Sequence, residues 1–546
     1  MHSSLNRKNK DLFSPAMLTA ILLIIININI GYRIFQFEVL PLADWSAHIY
    51  NSRILQQLLF APRQGMENFY RTEVLHFTNM TDHVLMALLM NFMRGAMASR
   101  IIILFMVISL QLSFLYFLSG LKINPLWSLL ILPILINSSS IAGMINFNLA
   151  VAFMLLLLGV WIRHLSRPRF THYLILAVLP LLIYFTHIFI FGIAAAATFL
   201  LILFFLISRN TSKEKKRTPP AFLTLSGLFL LSNSIPGILF FRYFFFSTKI
   251  TSSLTPDFNI FKTLAALIHL ECLKGYDTGI DRTGLHILSI TLGILILLSL
   301  LTLFFKFFRR PASHSANTIL QQTTLVTLRM LTGIWLFLFA ALLLLPNQIT
   351  GAGSYVDMRL EFMLVLFSIM LIAVYLHKSA FRKGYLIFLI PLLIGAEMHR
   401  KEIFAFWKKN NDPVITCFYS LSSEWEPFSS VAVIKKNVPW YLKHSDNALG
   451  IEKNIICYNN YETLSGHFMT RRNEGSPLDS INYYSRYFDY DQVAWDRIVP
   501  GQEPNYLVLL SGSGTIPLPD TVKTAYTQIK KQTAGFYQVE VLKHRP

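Results

Sequence analysis

Apolar residues in this chain come in long unbroken runs, not in the three-to-four or two-residue rhythm of soluble helices and strands. Runs lie near 15–35, 100–119, 126–140, 144–162, 171–185, 188–207, 220–246, 285–305, 324–346, 360–377 and 384–397. A helix rises 1.5 Å per residue, so about 20 apolar residues cross the roughly 30 Å hydrocarbon layer of a bilayer. The stretch 171–207 is too long for one crossing. Dividing it at Thr186–His187 leaves both of its basic flanks on one side. The pattern predicts a polytopic α-helical membrane protein with about eleven transmembrane helices.

The rhythm changes after Glu397. Residues 398–546 hold no further run of crossing length, and short apolar or alternating stretches at Val414–Tyr419, Val431–Ile434, Tyr506–Leu510 and Tyr537–Val541 predict strands. Asp520–Gln532 reads as a helix behind a Ser/Gly loop at 511–515. The expected plan is a transmembrane domain over 1–397 and a small soluble α/β or α+β domain over 398–546. Between the first and second spans, 37–99 is read as one long outer loop. Within it, 46–60 and 82–93 have the apolar spacing of helices lying along a membrane interface. The alternative, a span over Glu73–Met93, would move the basic Arg163–Arg169 loop to the opposite side and spoil the charge pattern.

That charge pattern orients the chain. The expected inner loops, 64 residues in all, carry 18 Lys and Arg, whereas 114 residues of outer loop carry 9. An excess of Lys and Arg marks the cytoplasmic side, so the N-terminus is expected inside and the C-terminal domain outside. The C-terminal domain is then expected on the extracytoplasmic face of the membrane. The basic Arg7–Lys10 stretch followed by 15–35 resembles a signal peptide, but the run is too long and no small-x-small site follows, so it reads as a retained span. Acidic residues show the reverse bias, two inside and ten outside. Because acidity has little topogenic weight, this asymmetry points to a polar site on the outer face. The surplus of nineteen positive charges, in a chain that is 54% hydrophobic, then belongs to loops that meet lipid headgroups, and nucleic acid is not an expected partner. Three cysteines, Cys272, Cys417 and Cys457, rule out a disulfide framework. Either a Cys417–Cys457 bridge or two buried thiols would fit.

Candidate chemistry begins where the first span ends, at Leu42-Ala43-Asp44-Trp45-Ser46-Ala47-His48-Ile49-Tyr50-Asn51-Ser52-Arg53. Asp44 is placed to cap the helix that follows, and His48 lies one turn on, on the same face. Alternatively, the carboxylate could take a proton from an acceptor hydroxyl or help hold a divalent cation beside a phosphate. A metal centre is not otherwise expected, since no zinc-type Cys/His spacing occurs. A second candidate is Gly351-Ala-Gly-Ser-Tyr355-Val-Asp357-Met-Arg359, where a glycine-rich turn leads to a guanidinium that suits a lipid-linked phosphate. It could equally be an Asp357–Arg359 surface pair or a headgroup anchor. The stretch from Cys272 to Thr283, with Asp277, Asp281 and Arg282, is a mobile acceptor-binding loop or an ordinary turn. His187, Asn146, Asn148 and Asn233 are polar groups within the apolar region, suited to helix–helix hydrogen bonds or to a cavity wall. Trp425, Trp440 and Trp495 could stack on sugars or fill a core.

A first span, an acidic residue directly after it, and a long outer loop leading through Ala98-Ser99-Arg100 to the second span resemble the GT-C superfamily, membrane glycosyltransferases that use polyprenyl-phosphate-linked sugars. The likeness covers roughly 15–400 and is mainly architectural. Gly143-Met-Ile-Asn146-Phe-Asn148 is similar to a glycine–asparagine–aromatic signature of poorly characterised bacterial members. The paired acidic motif of many members is not present, because Trp45 follows Asp44. The resemblance implies Asp44, aided by His48, as catalytic base, and Arg359 with Arg53 at the donor phosphate. His187, Asn146 and Asp357 would line the cavity. The partners would be a polyprenyl-phosphate-linked sugar, a glycan, lipid or protein acceptor, and membrane lipids. A lipid-linked glycan transporter or flippase, a non-catalytic subunit of polysaccharide assembly or export, and a ligase or polymerase of another fold are the rival readings. The missing Walker, dinucleotide-binding, His-Glu-x-x-His and Gly-x-Ser-x-Gly motifs argue against ATP-driven transport, redox chemistry and zincin proteolysis.

Overall fold

The computed structural model describes residues 14–62, 65–73, 78–210, 221–247, 260–275, 282–308, 319–345, 355–377, 382–463, 469–473, 489–493 and 503–545. Eight helices among these are long and apolar enough to cross a membrane: Pro15–Ile34, Gly95–Gly120, Ile145–Ser166, Ile188–Arg209, Leu223–Tyr243, Thr283–Thr302, Leu320–Leu344 and Val356–His377. The chain is thus a polytopic helical membrane protein. The division of the long apolar stretch falls where expected. One helix ends at Thr186, His187 is extended (φ −163°, ψ 114°), and the next helix starts at Ile188.

Three expected spans take other forms. The 126–140 run becomes a ten-residue 3₁₀ helix, Pro125–Ile134, that contains Pro133. Proline removes an amide donor, and at about 2 Å per residue this piece reaches only some 20 Å. The 171–185 run is the seventeen-residue helix Phe170–Thr186 around Pro180, close to 26 Å long by helix rise. The 384–397 run is broken into Arg382–Tyr385, Leu386–Phe388 and Leu389–Asn410, the last continuing well past its apolar part.

Two compact units form. The helical unit comprises Met1–Ile30, Met106–Ser139 and Phe147–Glu402; the mixed unit comprises Gly31–Phe105, Ser140–Asn146 and Ile403–Pro546. This grouping departs from a linear division at residue 397, because most of the first long loop belongs with the C-terminal region. Most buried hydroxyls in the helical unit bond back to a carbonyl of their own helix, as Thr186, Thr198, Thr291 and Thr327 do, but several polar side chains link different segments. Asn27 and Gln111 bond at 2.8 Å, Trp335 donates to Ser368 at 2.9 Å, and Asn137 donates to Asn148 at 2.7 Å. Asn233 turns back to the Phe229 carbonyl at 2.9 Å.

In the mixed unit a five-stranded sheet has the order β3-β2-β5-β7-β6, built from β2 (Ser430–Lys436), β3 (Ile456–Cys457), β5 (Tyr506–Ser511), β6 (Tyr526–Ala534) and β7 (Tyr537–His544). β2 runs parallel to β3 and β5, while β5–β7 and β6–β7 are antiparallel. Central β5 is buried along its whole length. Edge strand β6 is buried only at its ends and carries Lys530 and Lys531, charges that discourage pairing with another sheet. Three predicted strands are present. The fourth, Val414–Tyr419, is instead the helix Asp412–Leu421. Its Val414, Cys417, Phe418 and Leu421 are buried at helical spacing, and Pro413 sits in its first turn, where proline is tolerated. The helix expected over Asp520–Gln532 stops at Ala525 and gives way to β6. All three cysteines are buried free thiols, so no Cys417–Cys457 bridge forms.

The loop after the first span is woven into this unit. β1 (Tyr70–Thr72) pairs antiparallel with β4 (Thr470–Arg472). Helix α1 (Pro15–Ile34) is followed by α2 (Trp45–Phe60) and α3 (Thr81–Leu89). α2 does not lie on a surface with one apolar face outward: twelve of its sixteen residues are buried. α3, with nine residues, reaches about 14 Å and is too short to cross a bilayer.

Candidate functional site

The site grows from α2 and from the turn that seats it. Asp44 holds the N-cap position of α2, but its side chain makes no capping bond. The amides of Ala43 and Asp44 instead bond to the carbonyls of Ile141 and Ala142 at 3.0 and 3.2 Å, fixing the helix start against the 140–146 turn. Gly143 has φ +93°, and a Cβ there would lie 2.9 Å from the amide nitrogens of both Asp44 and Trp45. Both its conformation and this close approach require glycine. Gly143→Ala should therefore lower stability by about 1–3 kcal/mol and displace Asp44. Gly237, whose Cβ would meet nothing within 4 Å, is the control, and its alanine variant should melt at or above the native temperature.

Asn146 ends the same turn and clamps α3. Its side-chain oxygen accepts from the Asp82 amide at 3.1 Å, and its nitrogen donates to the Asn79 carbonyl at 3.0 Å. Asn79 is left-handed (φ 54°), a conformation that asparagine tolerates better than most residues. The residue expected in a cavity wall is thus the one that positions Asp82 and His83.

His48, His83, Asp82 and Glu462 form a closed four-membered cluster. The two imidazoles stack with centroids 4.8 Å apart and 26° between planes. Asp82 faces the Nδ1 edge of both, 3.2 Å from His48 and 2.8 Å from His83. Glu462 faces both Nε2 atoms, at 3.3 Å each. All four side chains are buried. Asn51, one turn beyond His48 on α2, donates to Glu462, while its oxygen accepts from Asn460 at 3.0 Å and from Thr470 at 2.9 Å. Tyr50 donates to the Ile455 carbonyl at 2.5 Å and accepts from the Cys457 amide at 3.2 Å. One helix of the first loop therefore holds the C-terminal segment that delivers Glu462.

Burial alone would push both imidazoles toward the neutral form, but the two carboxylates outweigh it. His48 is raised, and His83 is raised to about 10. Asp82 is opposed by burial, yet the two imidazoles hold it far below the usual carboxylate range. Asp44 behaves differently. Burial lifts it to about 6, His48 and a Tyr461 hydrogen bond pull it down, and Glu462 adds to the rise. Its side chain is still 29% exposed, and His444 Nε2 stands 3.6 Å from its oxygen. Burial and the neighbouring Lys435, His48 and Lys443 hold His444 well below the ordinary histidine range, so this contact is with a neutral ring and is too long for a hydrogen bond. His444 in turn lies against the Tyr461 ring, 4.1 Å between centroids.

The other expected residues lie elsewhere. Arg53 is nine residues beyond Asp44 along α2, half a turn away on the opposite face, and its guanidinium donates to Gln56 at 3.1 Å. In the helical unit, Phe147 gathers His187 edge-on at 5.3 Å, Arg359 over its ring at 6.0 Å and Phe362 at 5.6 Å. Two of the expected residues, His187 and Arg359, thus converge on one aromatic ring. Asp357 accepts from the Met358 amide at 2.7 Å in the first turn of Val356–His377. The glycine-rich turn before it, at 351–354, and Asp277 and Asp281 lie outside the described residues. Trp425 stacks on Tyr506 at 4.3 Å and is buried, a core role, while Trp440 is 45% exposed and Trp495 is not among the described residues.

Sequence reading found Asp44 and His48 but not Asp82, His83, Glu462 or His444. The available signal for the first pair was two adjacent ionisable residues opening a short apolar helix. For Glu462 it was the polar run from Asn459. Neither signal says that the two segments meet. No family model matches the chain, and no curated protein is significantly similar to it.

Proposed function

We propose that the chain is a membrane glycosyltransferase of GT-C type that moves a sugar from a polyprenyl-phosphate donor to an acceptor hydroxyl, with Asp44 as general base. The observation that carries this reading is Asp44 itself: a partly exposed carboxylate ten residues beyond a membrane-length helix, raised to about 6 by burial. A base works best with a pKa near the operating pH, because it must be ionised and still attract a proton in the transition state. At neutral pH Asp44 satisfies both conditions. The neutral His444 beside it offers a nitrogen that can accept a hydrogen bond from an incoming hydroxyl. His48 does not serve as a second base in this reading; it is held between Asp82 and Glu462. In the helical unit, Arg359 remains the candidate for a lipid phosphate, by virtue of its forked donors.

The reading places the Asp44 side of the chain outside the cytoplasmic membrane, and this can be measured. A membrane-impermeant maleimide applied to intact spheroplasts should modify Thr515→Cys, an exposed position, and leave Arg167→Cys, also exposed, unreacted until the membrane is opened. The native cysteines are buried and contribute little background. The opposite labelling pattern would reverse the topology and remove the lipid-linked donor on the outer face. Transfer itself is tested by the Asp44 variant described in the Discussion.

A further inference from the structure

We infer that His48, Asp82 and His83 form a binding site for one divalent transition-metal ion of the zinc class, with Glu462 orienting both histidines. The three residues present donor atoms within 4.8 Å of one another, and all three are buried. Two imidazole nitrogens and one carboxylate oxygen are a borderline donor set that suits Zn²⁺ and its transition-metal neighbours. Mg²⁺ and Ca²⁺ take six or more oxygens and are poorly matched.

Both Nδ1 atoms face the same carboxylate, Asp82, at 3.2 Å from His48 and 2.8 Å from His83, so two imidazole nitrogens and one carboxylate share one small buried space that a single ion could occupy. The two carboxylates also divide the work as a metal site requires. With Asp82 beside both Nδ1 atoms, the Nε2–H of His83 donates to Glu462 and His48 Nε2 stands 3.3 Å from its other oxygen, an arrangement that favours the tautomer that turns Nδ1 toward the ion. Carboxylate–histidine–metal chains of this kind are the usual second layer of metal sites. Asn51 and Asn146 hold the outer parts of this arrangement in place, through Glu462 and the Asp82 amide respectively. Three protein ligands leave a fourth position for water or a substrate oxygen, the pattern of catalytic rather than structural zinc. The inference stands apart from the glycosyl-transfer reading, since neither donor nor acceptor enters it.

The test uses the full chain, purified in detergent through a tag without histidine and analysed for metal by mass spectrometry. The expected content is about one equivalent of Zn²⁺ or a neighbouring transition metal per chain, lost in Asp82→Ala and His83→Gln. After chelation, Zn²⁺ should raise the melting temperature of the native protein and Mg²⁺ should not. Glu462→Gln should still bind, but about 10–100-fold more weakly, as expected for an orienting group. Native protein that copurifies with no metal and shows no thermal shift with Zn²⁺ or Mn²⁺ would overturn the site and leave a self-neutralised pair of imidazoliums and carboxylates. Equal metal content in the native protein and a folded His83→Gln variant would do the same. Because the native measurements need no variant, poor folding of a variant does not shield the proposal.

Discussion

Asp44→Asn should reduce sugar transfer by about 10²–10⁴-fold, the usual worth of a general base, with the protein still inserted and folded. The amide keeps the size of the side chain, and Asp44 makes no capping bond that the change would break, so a stability effect is not expected to mask the kinetic one. In the native protein, turnover should rise with pH through a limb near 6, where Asp44 ionises, and the limb should vanish in the variant. Stability carries an independent signature. Folding raises this carboxyl from 3.8 to about 6, so between those values the folded state keeps a proton that the unfolded state has lost. The free energy of unfolding therefore falls as pH rises across that window, and Asp44→Asn should flatten the slope. Transfer measured with a polyprenyl-phosphate sugar, and melting curves between pH 4 and 7, read the two effects separately. Full turnover in Asp44→Asn would remove the enzyme assignment and favour a non-catalytic subunit of the same architecture.

The largest expected effect on folding lies under the sheet. Lys435 of β2 and Asp446 are joined at 2.8 Å with neither side chain exposed to solvent. Burial pushes the Asp446 carboxyl up, while Lys435 pulls it back. Removing one member leaves the other charge buried without its partner, so Asp446→Ala or Lys435→Met alone should cost about 3–5 kcal/mol. Replacing both, as Lys435→Met with Asp446→Leu, should come within about 1 kcal/mol of native or exceed it, because a desolvated pair earns little over a well-packed apolar one. Urea unfolding followed by pulse proteolysis measures all three variants. A double variant as unstable as the single ones would show that the pair fixes the local fold rather than merely neutralising itself.

The first long loop shows how far linear reading reaches. Its helices were legible from spacing, and Asp44 and His48 stood out because ionisable groups are rare beside a span. Their surroundings were not legible. An amphipathic pattern is the same whether its apolar face meets lipid or another protein segment, so α2 was expected on a membrane surface and is buried within the mixed unit. The helix Asp412–Leu421 was misread for a related reason: a six-residue apolar stretch fits a strand or a buried helix equally well until its neighbours are known.

Sequence by itself determined the class of this protein, because a run of about twenty apolar residues satisfies its backbone polar groups in a bilayer only as a helix. It also determined the break at His187. The tertiary structure alone decided which runs become membrane-length helices, since proline does not settle it: Pro236 lies inside a helix of membrane length, whereas Pro133 and Pro180 lie in shorter ones. It alone decided the site as well. Glu462 meets His83 from 379 residues away, and His48 from further still, because β1 pairs with β4 and Asn51 ties down the connecting segment. No local pattern encodes a contact of that separation; it exists only once the two segments share a core.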